Sequence, residues 1–214
     1  MNHQQDEILH VSVAGGEARA LVARTTAMVA QASVMHGASA AATAALGRAL
    51  TAAAMLGCQL KSPEHAVTLQ INGGGPLGSV VCTAHGDGRV KGYVDDPTAD
   101  AVASEPDAPL VSAVVGCDGY LRLIRASGLK EPYIGQVALQ TGEIAEDLAH
   151  YLTVSEGRPS VVALGAQITG GAVAEAAGLI LEPMPGCSQE TLHELELCLP
   201  LMGNLSRDMA DLGG

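Results

Sequence analysis

Phenylalanine and tryptophan are absent from this 214-residue chain, and tyrosine occurs only four times. A core without large rings must be filled by Ala, Val, Leu, Ile and Met, whose small volumes favour closely approaching backbones. Basic residues are scarce as well: 11 Lys and Arg stand against 23 Asp and Glu, for a net charge of −12. Nucleic acid is a poor partner for such a chain, because binding there draws on Lys and Arg to neutralise phosphates. An anionic membrane surface is disfavoured for the same reason. The opening MNHQQDEILH lacks the basic start and apolar run of a secretory signal. The five cysteines, Cys58, Cys82, Cys117, Cys187 and Cys198, form no CxC or CxxC pair. Reduced, mostly buried thiols in a cytoplasmic protein are the expectation.

What the chain does have is aliphatic bulk. Hydrophobic residues make up 48%, enough for one large domain or one domain with an appendage. The stretch from Ala38 to Leu60 is long and apolar, but Arg48 near its centre and its many alanines indicate a buried helix over a membrane span. Val11 to Leu21 reads as a hairpin turning at Gly15-Gly16. Thr25 or Thr26 offers an N-cap and Gly37 a C-cap for a first helix, and Ser39 caps a second. The period then changes from helical to twofold. Val67, Leu69 and Ile71 alternate with Thr68, Gln70 and Asn72, the mark of a half-buried strand. Strands follow near Gly78 to Ala84 and Val90 to Val94, completing an antiparallel meander.

Asp95 to Pro109 reads as a surface loop. Strands near Tyr120 to Ala126 and Tyr133 to Gln140 precede a helix from Gly142 to Val154. Late apolar strands lie at Val161 to Ile168 and Leu179 to Leu181. Pro183, Pro185 and Gly186 then break the pattern. This divides the chain into a core, residues 1–182, and a helical linker, residues 183–214, in which Ser188 caps a helix carrying Leu192, Leu195 and Leu199. Strands and helices do not alternate as βαβ units, so the expected class is α+β, a mostly antiparallel sheet packed against helices.

The reactive-looking residues have plainer explanations. Gly73, Gly75 and Gly78 match GxGxxG, with Asp95 or Asp96 about twenty residues on as a ribose-binding acid would be. The fingerprint needs a helix after the glycines, whereas here Pro76 intrudes and a strand sequence follows. Cys82 and His85, with His65 or Cys117, make one loose ligand pair where structural zinc uses two. Cys187 and Cys198 flank a helix about 16 Å long, beyond disulfide reach. Glu143, Glu146 and Asp147 sit at a helix start, where the helix dipole favours them. No GxSxG occurs. No catalytic, cofactor-binding or metal-binding residue is therefore assigned, and the chain is read as a non-enzyme.

Six blocks carry a resemblance: VTLQINGGGPLGSVV from Val67, RVKGYVDDP from Arg89, VGCDGYLRLIR from Val115, YIGQVAL from Tyr133, DLAHYLTVSEGRPS from Asp147 and AAGLILEPMPG from Ala176. In order and spacing the chain resembles the redox-regulated thirty-three-kilodalton heat-shock chaperonin family. The resemblance implies an ATP-independent holdase of the cytoplasm that binds unfolding proteins under oxidative and heat stress and prevents their aggregation. It implies an α+β core, a helical linker and a C-terminal unit holding zinc through CxC and CxxC cysteines. Oxidation of that unit forms disulfide bonds, releases the metal, loosens the linker and favours a homodimer. Residues 1–214 carry no such cysteine segment, so zinc belongs to the full-length family and no cofactor is expected within them. The expected partners are unfolded or partly folded proteins, with no nucleic acid and no membrane. The client-binding candidates are Leu179, Ile180 and Leu181 in the last strand, and Leu192, Leu195, Leu199, Leu201, Met202, Leu205 and Met209 beyond it. Such an aliphatic, Met-bearing surface adapts to many shapes. The alternatives are a small-ligand or nucleotide-binding enzyme domain built on the GGGPLG turn, and a passive oligomerisation module.

Overall fold

The computed structural model describes residues 5–100, 110–128 and 131–198. The chain opens with a hairpin. β1 (Glu7–Val13) and β2 (Ala18–Arg24) pair antiparallel around a short 3-10 turn, and the ladder is longer than the expected Val11 to Leu21. α1 (Thr26–His36) ends at Gly37, whose φ of 58° is the left-handed cap that glycine adopts without strain. Its start differs from expectation, since Thr25 makes no capping bond. Instead Asp6, just before β1, accepts hydrogen bonds from the N–H groups of Ala27 (2.9 Å) and Met28 (2.7 Å). The Thr25 hydroxyl is spent on a buried 2.7 Å bond to Thr51.

α2 (Ala40–Gly57) is capped as expected, with Ser39 Oγ accepting from the Ala42 N–H. The twofold pattern yields β3 (Ala66–Asn72), β4 (Ser79–His85) and β5 (Val90–Val94). A short α3 (Leu110–Val115), which the sequence pattern did not indicate, follows the proline-bearing loop; residues 101–109 of that loop lie outside the described residues. β6 (Tyr120–Ala126), β7 (Tyr133–Ala138) and α4 (Ile144–Glu156) come next, then β8 (Val161–Thr169), β9 (Ala172–Pro183) and α5 (Gln189–Cys198). β9 is much longer than the expected Leu179 to Leu181. Its first half, rich in Ala, is held extended by pairing with β8, and β2 joins on the other side from Ala177 onward.

All pairings among the described residues are antiparallel and form two sheets, β1-β2-β9-β8 and β5-β4-β3-β6-β7. α2 lies between them, touching β2, β3, β4, β5, β8 and β9 as well as α1, α3 and α4. A helix enclosed on all sides must be apolar all round, and every residue of α2 from Ala41 to Gly57 except Arg48 is buried. This accounts for the apolar run that has the length of a membrane span: it is the central core helix, 89% buried. Arg48 pairs with Glu143 at the start of α4. The missing aromatic rings are answered by close approach. A Cβ at Gly57 would stand 2.6 Å from that of Ala84, and one at Gly178 2.7 Å from Thr51 Cγ2. The α+β architecture expected from the sequence is the one observed.

Candidate functional site

The strand register sorts the late apolar run into two faces. Ile180 lies opposite Leu21 and Val162, and all three belong to the main core around α2. Leu179 and Leu181 project the other way. They join Ala18, Ala20 and Ala163 in a second apolar cluster, bordered by Val13, Val22 and Val161, on the outer face of the four-stranded sheet. On that face the register continues from Val22 to Leu9 and from Ala20 to Val11, both of which are exposed. The outer face is thus aliphatic across its strands, but Leu179 and Leu181 on it are covered (7% and 6% exposed), as Ile180 is in the core (1%), and the face is open to solvent at Leu9 and Val11.

A turn and α5 follow where β9 ends. Cys187 N–H donates to the Met184 carbonyl (3.0 Å) in a tight turn, and α5 starts two residues on. Ser188 Oγ accepts from the Thr191 N–H (3.2 Å), the cap read from the sequence. A second anchor was not foreseen: Glu17, beside the hairpin turn, accepts from the N–H (3.1 Å) and hydroxyl (2.7 Å) of Ser188. Hydrogen bonds from Thr191 first and Ser188 second lower the Glu17 pKa to about 2. No sequence signal marks this contact, because nothing in a local window joins residues 171 positions apart. Of the remaining candidates, Leu192 is half-buried. The side chain of Leu195, and Leu199, Leu201, Met202, Leu205 and Met209 entirely, lie outside the described residues.

Among the described residues, ionisable groups converge beside the hairpin, and they are held in ion pairs with one another. A groove of about 840 Å³ beside the hairpin is bordered by His10, Arg19, Cys58, Gln59, Arg158 and Met184. Arg19 donates to Glu182 (2.7 Å), and Arg158 donates to Glu182 (2.5 Å), Gln59 (2.9 Å) and Glu156 (2.9 Å). Arg125 closes the chain on Glu156 (2.7 Å). These pairs tie both sheets to the ends of α2 and α4. Burial raises the Cys58 thiol pKa, so the groove holds no activated nucleophile. Asp147, in the acidic cluster of α4, accepts from the N–H groups of Gln140 (2.6 Å) and Thr141 (3.2 Å) and closes the preceding turn.

The GGGPLG segment is a seat for the end of α3. Gly75 N–H donates to Val115 O (2.9 Å), Leu77 N–H to Val114 O (3.0 Å) and Asp118 N–H to Gly73 O (3.0 Å). A Cβ at Gly73 would lie 2.2 Å from Gly116 O, and β4 follows where a phosphate-binding helix would be needed. Among the described residues no three His, Cys, Asp or Glu side chains cluster as metal ligands. Cys82 is buried, with its thiol pKa pushed far up by desolvation.

Two antiparallel sheets around a buried helix define an α+β domain. The comparisons agree with that class. The family model described as Hsp33 protein matches residues 6–212. A 33 kDa chaperonin of Clostridium botulinum is 45% identical over 186 residues, covering 86% of this chain and 63% of that protein. One of Deinococcus radiodurans is 42% identical over 208 residues, covering 96% and 71%. The crystal structure of the 33 kDa chaperonin from Thermotoga maritima superposes with a TM-score of 0.84 at 34% identity, covering 90% of this chain and 66% of that one. The chain belongs to the Hsp33 protein family, and it spans less than two thirds of the length of the Clostridium relatives it matches.

Proposed function

We propose that this chain forms the core and linker of an ATP-independent holdase that binds unfolding proteins in the cytoplasm under heat and oxidative stress. The observation that carries this reading is the aliphatic outer face of the four-stranded sheet, running from Leu9 and Val11 to Leu179 and Leu181, next to a helix anchored through Glu17. The exposed margin of this face is Leu9 and Val11 of β1, and solvent-facing apolar surface continuous with a covered aliphatic cluster suits an interaction site. A latch made of a few solvent-exposed hydrogen bonds opens at small cost, so the helix and the face form a two-state element. The relatives' printed name, 33 kDa chaperonin, supports a chaperone over an enzyme.

In this reading residues 1–182 form the core and 183–214 the linker, with Leu192, Leu195, Leu199, Leu201, Met202, Leu205 and Met209 adding to the client surface. Redox control and zinc are assigned to the cysteine unit of the full-length family, since the described thiols form no CxC or CxxC set. A homodimer through the same apolar surface belongs to the reading, and no nucleic acid or membrane does.

The test is light scattering of a heat-denaturing reporter enzyme mixed with a few-fold excess of the reduced 214-residue chain, without nucleotide. Suppressed aggregation is the expected result. Aggregation at the rate seen without the chain would overturn the proposal.

A further inference from the structure

The outermost strand of a sheet carries a row of backbone N–H and C=O groups with no neighbour, and proteins guard such edges. The edges here are β1, β8, β5 and β7. Three show guarding features. β8 is buried from Val162 to Gly165 and packs against α4. β5 has only five residues, with Lys91 and Gly92 among them. β7 follows Pro132 and contains Gly135, where a Cβ would stand 2.2 Å from the Tyr151 hydroxyl. β1 differs. Its seven residues, EILHVSV, include no Lys, Arg, Pro or Gly, and all but Ile8 and Val13 are exposed.

We infer that β1 takes up an extended segment of the unfolded client as an added strand, lengthening the four-stranded sheet to five. This rests on the holdase reading above and names how the client is held. A chaperone that accepts unrelated sequences must recognise what they share, and the polypeptide backbone is that common feature. Strand addition supplies affinity through main-chain hydrogen bonds, while alternate side chains of the guest fall on one face. Here that face is the aliphatic one, because Leu9, Val11 and Val13 continue in register into Val22, Ala20 and Ala18. The guest's apolar residues at every second position therefore meet the exposed margin of that face at Leu9 and Val11. Glu7, at the strand's end, is its only formal charge, so the edge imposes little sequence preference. A second copy of this chain pairing along β1 is a competing occupant that the test below separates from client.

The test uses the reduced 214-residue chain and a fluorescent, disordered Val- and Thr-rich peptide. A matched peptide is N-methylated at alternate residues, which removes donors along one edge and keeps the side chains. We expect the methylated peptide to bind at least about tenfold more weakly, each lost bond being worth ~0.5–1.5 kcal/mol. The unmodified peptide should protect the amides of residues 7–13 from hydrogen exchange. The double variant His10→Lys/Ser12→Lys, altered on the strand face away from the aliphatic surface, should weaken binding with an unchanged melting temperature. Equal affinity of the two peptides while aggregation is still suppressed would overturn strand addition and leave the holdase reading standing. Protection of β1 that rises with chain concentration alone would make a second copy the occupant and overturn the assignment to client. Absence of both peptide binding and aggregation suppression would overturn both proposals.

Discussion

Glu17 receives two hydrogen bonds from Ser188, one from its N–H at 3.1 Å and one from its hydroxyl at 2.7 Å. A carboxylate beside the first hairpin turn thus holds the first turn of α5. The acid sits near the helix N-terminus, where the partial positive charge of the unpaired N–H groups favours it.

This contact makes the latch acid-sensitive. The folded-state pKa of Glu17, about 2, lies below its ordinary value of 4.5. A depressed carboxylate stabilises the latched form above the unlatched pKa, and that contribution fades as pH falls from about 4.5 toward 2. Backbone chemical shifts of residues 189–198 should be constant down to about pH 5 and then move toward coil values. Glu17→Gln should weaken α5 at neutral pH, abolish the acid step and raise aggregation suppression. An acid step of wild-type size in Glu17→Gln would assign the titration to another group.

Ser188 caps the same helix on its own account. Ser188→Ala removes the acceptor for Thr191 N–H and one donor to Glu17, and loss of such a cap costs about 1 kcal/mol. Hydrogen exchange should show the loss within α5 alone. The melting temperature of the sheets and α2 should stay within error of wild type, because the capping contacts involve only α5 and the hairpin turn.

Arg48 and Glu143 join the central helix to α4, and Glu143 also accepts from the Ser112 N–H (3.1 Å). Glu143→Gln should lower unfolding stability by about 1–3 kcal/mol in urea melts, since it leaves a partly buried guanidinium poorly paired. Arg48→Met combined with Glu143→Leu should recover much of that loss, because removing both charges leaves none to be desolvated unpaired.

The contact of Gly57 with Ala84 leaves no room for a methyl group. Gly57→Ala should destabilise by about 1–3 kcal/mol, read as a lower denaturation midpoint at unchanged slope. Gly178→Ala should cost a similar amount, and there Met55→Ala should relieve part of the strain, because Met55 Sδ lies 2.9 Å from the position of the new Cβ. No such rescue should occur for Gly57→Ala.

Thiol reactivity should follow exposure. Cys117 is exposed, Cys58 half-buried with a raised pKa, and Cys82 fully buried. Mass spectrometry after timed iodoacetamide treatment should find Cys117 modified first, Cys58 more slowly, and Cys82 only after denaturation. Early modification of Cys82 would mean that the central sheet opens in the native state.

Much of the fold was legible because its signals are local. Val67, Leu69 and Ile71 alternate with polar neighbours and form a strand buried on one face. Gly37 and Ser39 mark a helix end and a helix start through bonds that reach only a few residues. Other elements were not legible, for reasons equally physical. Apart from Val173, residues Ala172 to Gly178 are weak strand formers and become a strand because the β8 ladder holds them, with β2 joining from Ala177 onward. Thr25 looked like a cap, but Asp6 took that place from the far end of the hairpin. Leu179, Ile180 and Leu181 read as one apolar run, and only the register with β2 and β8 sends the middle residue inward and its neighbours out.

By itself, the sequence determined that this protein has a core of small aliphatic side chains, a central Ala-rich helix and twofold strands, because composition and periodicity act within a few residues. The family blocks were legible in the same way, as ordered local motifs. The tertiary structure alone decided which apolar residues form an outer surface and which carboxylate latches the last described helix. Those outcomes depend on pairings such as Arg19 with Glu182 and Glu17 with Ser188, 163 and 171 residues apart. No backbone rule links such positions until the sheets bring them together.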